Sequence, residues 1–240
     1  MTLKLLELFS GTHSIGKTAI KRDYKITSLD MDLPAKSKIY DYTSNNHIKI
    51  DIMNWDYKSD YSPGDFDIIT ASPVCLWWSS LRLCNITKKM RNGKWKNQIL
   101  TREMIESDII TEGIPMVDKL LEILDYFKPK YWWIENPKTG RMKEYINELI
   151  PYVDIDYCQY GFDYKKSTRF WTNINIEAKC CHKGCKKMVK YISKKTGKTS
   201  NRHLSSNDGG TKGYKSTTTT TMRYRIPEEL INDLLDGCRH

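Results

Sequence analysis

A chain of 240 residues and 28.2 kDa has room for one well-buried core and a small appended lobe, but not for two full domains. No apolar run approaches the roughly 20 residues that cross a bilayer, and seven cysteines, an odd number, exclude a fully paired disulfide framework. The formal charge of +10 points to a polyanionic partner.

That charge is local. Residues 177–221 hold eleven Lys or Arg against Glu177 and Asp208, so +9 of the +10 sits there and the remainder is nearly neutral. One positive lobe on a neutral body suits binding to phosphates, which is driven by counterion release. A solvated lysine-rich insert is the plainer alternative. The N-terminus enters an apolar segment directly, without the charged and apolar regions of a signal peptide. A soluble intracellular protein with no membrane association and mostly reduced thiols is therefore expected.

In chain order, residues 3–9 read as a buried strand and 14–22 as the helix after a glycine-bearing turn. Strands are predicted at 25–29, 48–52 and 66–70, each running into polar residues: Asp30 and Asp32, Asp51, and Ala71-Ser72-Pro73. Residues 79–97 are polar and cationic without a clear period, and read as a mobile loop. Ile114, Val117, Leu120, Leu121 and Leu124 give an amphipathic helix over 113–127, stopped by Lys128-Pro129. A fifth strand at 131–134 delivers Glu135-Asn136-Pro137. Strands alternating with helices imply an α/β fold: a mostly parallel sheet with helices on both faces, whose ligands gather at the strands' carboxyl ends. Residues 177–222 read as a small irregular basic lobe, with Gly209-Gly210 and five threonines at 217–221. Residues 1–176 form the catalytic domain on this reading. Residues 223–240 carry a final helix, 227–235, that packs back on it.

Two nucleotide-site readings fit residues 5–18, LLELFSGTHSIGKT. Gly11, Gly16, Lys17 and Thr18 satisfy the phosphate-cradling GxxxxGK(S/T) loop of NTPases and kinases. That loop needs a second strand ending in an aspartate to support magnesium, and neither 66–70 nor 131–134 offers one. In the other reading the glycines let the backbone pass close to a nucleoside cofactor, Asp30 accepts the ribose hydroxyls, and Asp51 takes the adenine amino group. Taken singly, each aspartate is as well explained as a helix cap or a loop residue.

Ala71-Ser72-Pro73-Val74-Cys75 with Trp78-Ser79, and Glu135-Asn136-Pro137, resemble the nucleophile loop and the second catalytic motif of DNA cytosine-5 methyltransferases. Residues 7–16, ELFSGTHSIG, resemble that family's cofactor turn. Tyr160-Gly161-Phe162 with Arg169-Phe170-Trp171 resembles a later motif, and Arg223-Tyr224-Arg225-Ile226-Pro227 resembles the tail of small phage- and virus-type members. The resemblance covers residues 3–176 and 223–236. It implies a Rossmann-like fold, S-adenosylmethionine as cofactor and double-stranded DNA as substrate, with a viral host's cytoplasm or nucleus as location. Cofactor contacts then fall on Phe9, Ser10, Gly11, Thr12, Asp30, Met31, Asp51, Ile52, Ser72 and Pro73. Val74 departs from the family's proline before the cysteine and removes a rigid φ constraint. The basic set after Tyr160-Gly161 is diluted to 164–169, YKKSTR.

Chemistry makes sense of the pairing on its own terms. C5 of cytosine is a poor nucleophile, so the ring needs a thiolate adding at C6 while N3 gains a proton. Cys75 and Glu135 suit those roles, with Cys75 expected to be lowered toward neutrality by nearby cations and helix ends and Glu135 expected in an apolar pocket that favours its protonated form. Arg169 would steady the base or the thiolate. The target base must leave the duplex stack, and Trp77, Trp78 and Trp95 flank or sit in the loop that would close over it. Trp78, Ser79, Lys165, Lys166 and Arg202 are the expected nucleic-acid contacts, with Asn201 and His203 beside them. Cys180, Cys181, His182 and Cys185 crowd four metal-ligating side chains into six residues, and Cys158 or His203 could complete a tetrahedron. Reduced surface thiols are the expectation, with no metal assigned. Three other readings stay open: a catalytically impaired nucleic-acid-binding relative, motivated by Val74; an RNA cytosine-5 methyltransferase; and a P-loop NTPase or kinase.

Overall fold

The computed structural model describes residues 2–32, 46–146, 150–182, 184–193, 195–203 and 224–239. The expectations placed on Gly209-Gly210, the threonine run at 217–221 and Arg223 lie outside these residues. Seven strands form one sheet: β1 (Lys4–Leu8), β2 (Lys25–Asp30), β3 (Asn46–Lys49), β4 (Ile68–Ala71), β5 (Tyr131–Pro137), β6 (Tyr152–Asp156) and β7 (Ser167–Thr172), in the order β3-β2-β1-β4-β5-β7-β6. The first five are mutually parallel. β7 runs antiparallel between β5 and β6.

Side chains alternate across β1, so that Leu6 and Leu8 enter one core layer and Leu5 the other. The first layer lies under α2 (Tyr57–Asp60), α3 (Arg102–Asp108) and α4 (Ile114–Phe127), where Val117, Leu120, Ile123 and Phe127 are fully buried. The second lies under α1 (Ser14–Ile20) and α6 (Glu228–Gly237), whose Leu230, Ile231, Leu234 and Leu235 are fully buried. The five-residue α5 (Met142–Ile146) follows β5. Covering both faces lets the inner strands bury apolar side chains on both sides, which is why they are legible in the sequence.

Four differences from the sequence reading bear on function. β3 ends at Lys49, before the expected 48–52 strand is complete, and Asp51 caps a short 3₁₀ turn instead. α3 and the π-turn at Ile109–Gly113 precede α4. The loop at 79–97 is ordered, with a 3₁₀ turn at Ser80–Asn85 and a hairpin-like return through Thr87 N to Leu100 O (2.9 Å) and Met90 N to Gln98 O (2.9 Å). The basic lobe is not wholly irregular, because β8 (Met188–Ile192) and β9 (Thr199–His203) pair antiparallel within it. Among the described residues no helix is long and apolar enough to cross a membrane.

Candidate active site

The strand order reverses direction on either side of β1, which opens a crevice at the carboxyl ends of β1 and β4. The turn leaving β1 is sharp. Phe9, Gly11 and His13 all take left-handed backbone angles (φ +56°, +45° and +60°), the first and third at a strain cost of order 1–3 kcal/mol each. Ser10 N donates to Leu29 O (3.1 Å) and Gly11 N to Asp30 Oδ2 (2.8 Å), which ties the turn to the end of β2. Asp32 N donates to Asp30 Oδ1 (2.9 Å). Two backbone amides thus orient the Asp30 carboxylate while each oxygen keeps a lone pair.

The same turn is built against a polyphosphate. Glu7, almost fully buried, accepts the Ile15 amide at the start of α1 (3.2 Å) and the Ser28 hydroxyl (3.2 Å), and lies 2.7 Å from His13 Nδ1. A carboxylate therefore occupies the amide that a phosphate would need. Thr18 is buried and donates to Ser14 O (3.0 Å), a back-bond that turns its hydroxyl away from any magnesium. The P-loop reading fails on these contacts. Gly11 itself is set by its backbone angle of φ +45°, which L side chains rarely adopt; a Cβ there would meet only Phe9 O, at an ordinary 3.8 Å. Thr12 Oγ1 bonds Ser14 Oγ (2.8 Å). Met31 is 61% exposed just past β2, whereas the Ile52 side chain is buried in the core. Asp51 accepts the Met53 amide (3.0 Å), so at least one of its oxygens serves the 3₁₀ turn, which is the helix-cap role.

β4 delivers Ser72, whose amide donates to Leu8 O (3.3 Å), and then the loop carrying Cys75. Asn136, fully buried at the end of β5, donates from Nδ2 to Pro73 O (3.0 Å) and fastens this loop to the Glu135 strand. Cys75 is half-buried. Burial pushes its thiol up, the Glu135 carboxylate adds to the rise, and the Lys166 ammonium pulls it back down. This reverses the expected lowering: removing the thiolate from water costs more than one nearby cation returns. Nor is the Glu135 pocket apolar. Its Oε1 accepts the Tyr157 hydroxyl (3.0 Å) and lies 3.3 Å from Lys166 Nζ, itself 4.8 Å from the Tyr157 ring centroid. Lys166, expected on phosphates, is instead the cation of the thiol–carboxylate site.

Two other expected site residues are placed elsewhere. Arg169 pairs with Asn136 in the β5–β7 register, so it points to the sheet face opposite Glu135. Its Nε and Nη2 donate to the two Asp154 oxygens (2.7 and 2.9 Å), and its guanidinium stacks on Tyr152 (3.6 Å), which locks it into a β6–β7 fork. Trp78 is 2% exposed, stacked on Tyr145 and close against Gly113, where an added Cβ would come within 2.8 Å of its ring. It packs the core and has no face for a base. Ser79 is half-buried at the head of the 3₁₀ turn that follows.

That turn belongs to a loop pinned from below. Asp108 is fully buried where α3 meets the π-turn. It binds Arg82, Trp95 Nε1 (2.8 Å) and Lys94 (3.1 Å). Burial alone would raise its carboxyl, but these three donors outweigh it and hold the group below the usual range. Val74, Leu76 and Leu81 remain exposed along the segment that carries Cys75. Farther out, Lys165 pairs with Asp156 (3.3 Å), and Arg202 on β9 stacks over Tyr191 (3.9 Å).

No protein-family model matches the sequence. A frog virus 3 (isolate Goorha) protein described as "Probable DNA (cytosine-5)-methyltransferase" is 36% identical over 241 residues, spanning 98% of this chain and 100% of that protein. Among solved structures, the Entamoeba histolytica methyltransferase EhMeth covers 99% of this chain and 98% of its own at 12% identity, with a TM-score of 0.54, a likeness of fold. The S. pombe Dnmt2 methyltransferase is 17% identical over 75% of this chain with a TM-score of 0.43, and this chain spans about half (52%) of its length.

Proposed function

The chain belongs to the DNA (cytosine-5)-methyltransferase family, and from that premise we propose that it moves a methyl group from S-adenosylmethionine to C5 of cytosine in DNA. The observation that carries this reading is the hydrogen bond by which Asn136, next to Glu135, holds Pro73 of the Cys75 loop (3.0 Å), with Lys166 Nζ 3.3 Å from Glu135. Asp30 would hold the cofactor's ribose, Phe9 to Thr12 its backbone approach, and Met31 the open side of its adenine. When bound, S-adenosylmethionine supplies the electrophilic methyl carbon that C5 takes.

Cys75 Sγ adds to C6 of the extruded cytosine, and the displaced electron pair makes C5 nucleophilic. The proton that Cys75 gives up as Sγ adds passes by way of Glu135 to N3, so that the adduct carries no full negative charge on the ring, and Glu135 takes it back from N3 when the Cys75–C6 bond breaks. Lys166 serves both partners: it orients Glu135 and favours the thiolate. After methylation the C5 proton leaves to solvent, and the Cys75–C6 bond breaks with the pair returning to sulfur. Asn136 keeps Pro73 fixed to β5, and Pro73 restricts φ two residues before the nucleophile. Proline fixes only its own φ, so φ at Val74 stays free, and the impaired-enzyme reading is decided by the trapping experiment.

Duplex DNA containing 5-fluorocytosine tests the proposal, because fluorine cannot leave as a proton does and the adduct accumulates. The wild-type chain with S-adenosylmethionine should give a denaturant-stable protein–DNA species that Cys75→Ser lacks. Absence of the species in wild type, with cofactor binding shown by equilibrium dialysis, would remove the covalent reading. Preferential trapping on fluorinated tRNA would redirect the substrate to RNA.

A further inference from the structure

We propose that Cys158, Cys181, Cys185 and His203 bind one zinc ion that fastens the basic lobe to the catalytic sheet. Their ligand atoms all lie within 4.8 Å of one another. His203 Nε2 stands 3.5 Å from Cys181 Sγ and 3.3 Å from Cys185 Sγ. A tetrahedral zinc with bonds of about 2.3 Å to sulfur and 2.0–2.1 Å to nitrogen places its ligands roughly 3.5–3.8 Å apart, so only small movements close the shell. Three thiolates and one imidazole form a donor set that prefers zinc over magnesium or calcium, and four protein ligands leave no open position, as in a structural site.

The ligands come from three separate places. Cys158 sits on the 3₁₀ turn Tyr157–Tyr160 that follows β6, Cys181 and Cys185 flank the lobe's first loop, and His203 ends β9. Neighbours complete a second layer. The Cys181 amide donates to Asp156 Oδ2 (2.7 Å), and Lys165 Nζ lies 3.3 Å from the same carboxylate and 3.5 Å from Cys181 O. Lys165 thus brings a positive charge next to a centre whose three thiolates exceed the charge of the ion. The two other candidates in the cluster are placed away: Cys180 Sγ lies against Asp154 O (3.2 Å), and His182 is exposed. Because Tyr157 donates to Glu135 from the same turn, the ion would hold the β8–β9 hairpin in fixed relation to the catalytic pocket.

Metal content and cobalt spectroscopy test this on the full chain. Protein purified under reducing conditions from zinc-supplemented cells should retain about one zinc per chain after dialysis. Cobalt(II) added to the metal-free chain should give the intense visible absorption and thiolate charge-transfer band of a tetrahedral sulfur–nitrogen centre, reversed by zinc. Cys185→Ser and His203→Ala should each weaken zinc binding by at least about tenfold, whereas Cys180→Ser and His182→Ala should keep it. No retained zinc and no thiolate–cobalt band in the wild-type chain would overturn the proposal, independently of whether any variant folds. So would equal zinc retention by Cys185→Ser and His203→Ala, or a Cys181–Cys185 disulfide in freshly reduced protein.

Discussion

Cys75 lies between one carboxylate that disfavours its thiolate and one ammonium that favours it, so its ionisation reports directly on both. Alkylation of Cys75 by iodoacetamide, followed by peptide mass spectrometry across pH, should rise with pH along a thiol titration lying above the ordinary range. Lys166→Met removes the cation, so the midpoint should move to still higher pH. Glu135→Gln removes the opposing charge, so it should move lower although methyl transfer is lost. If both variants leave the midpoint in place, the three groups do not share a pocket. At the cofactor turn, Asp30→Asn should weaken S-adenosylmethionine binding by roughly 10- to 100-fold, the worth of charge-assisted hydrogen bonds of about 1.5–3 kcal/mol. Lys17→Ala should leave it within about twofold, since Lys17 lies in α1 with no phosphate to reach; isothermal titration checks both. That the Cys75 loop and Glu135 lie at the carboxyl ends of the neighbouring strands β4 and β5 is readable from the sequence, because both strands are marked by their apolar runs. The pairing of Lys166 with Glu135 is not legible there, since a lysine in a basic run carries no mark of which carboxylate it will meet. Arg169 was misread because one position of register decides its face of the sheet.

Elements differ in legibility for a similar reason. The parallel strands β1, β2, β4 and β5 carry apolar side chains on both faces, a run that needs no partner to be seen. β7 hides because its buried run includes Thr168, Arg169 and Thr172, polar residues two of which find partners on other strands, Arg169 on Asp154 and Thr172 on Trp132. The loop at 79–97 looked mobile because its anchor, Asp108, lies outside it on α3. Trp78 looked like a base contact because tryptophan beside a nucleophile suits either role, and only Gly113 and Tyr145 show that it packs inward. Trp78→Ala should cost about 3–5 kcal/mol of stability in chemical denaturation, the value of a large buried aromatic. A loss under about 1 kcal/mol would place the ring at the surface after all.

Across the whole molecule, the charge asymmetry reads directly from the sequence, whereas the parts that share it out do not. DNA affinity should fall linearly in log–log plots against salt, by about 0.9 for each phosphate neutralised. Arg202→Ala on the exposed hairpin should lower that slope by about 1 without altering sequence preference. An unchanged slope in fluorescence-anisotropy titrations would mean that β9 faces away from the duplex. α6 closes the opposite side of the sheet, where Lys21 meets Glu228 (2.7 Å) and Arg22 donates to Asn232 O (3.1 Å). Between these two ends lies Glu7, its acid group spent on the first turn of α1. Every cell is crowded with adenosine carrying strings of anionic groups, and a pocket made only for the sugar and the purine would be silted up by them. With the Ile15 amide already taken by Glu7, the start of the helix has that donor closed to such competitors, which favours a ligand whose other half is not a phosphate chain.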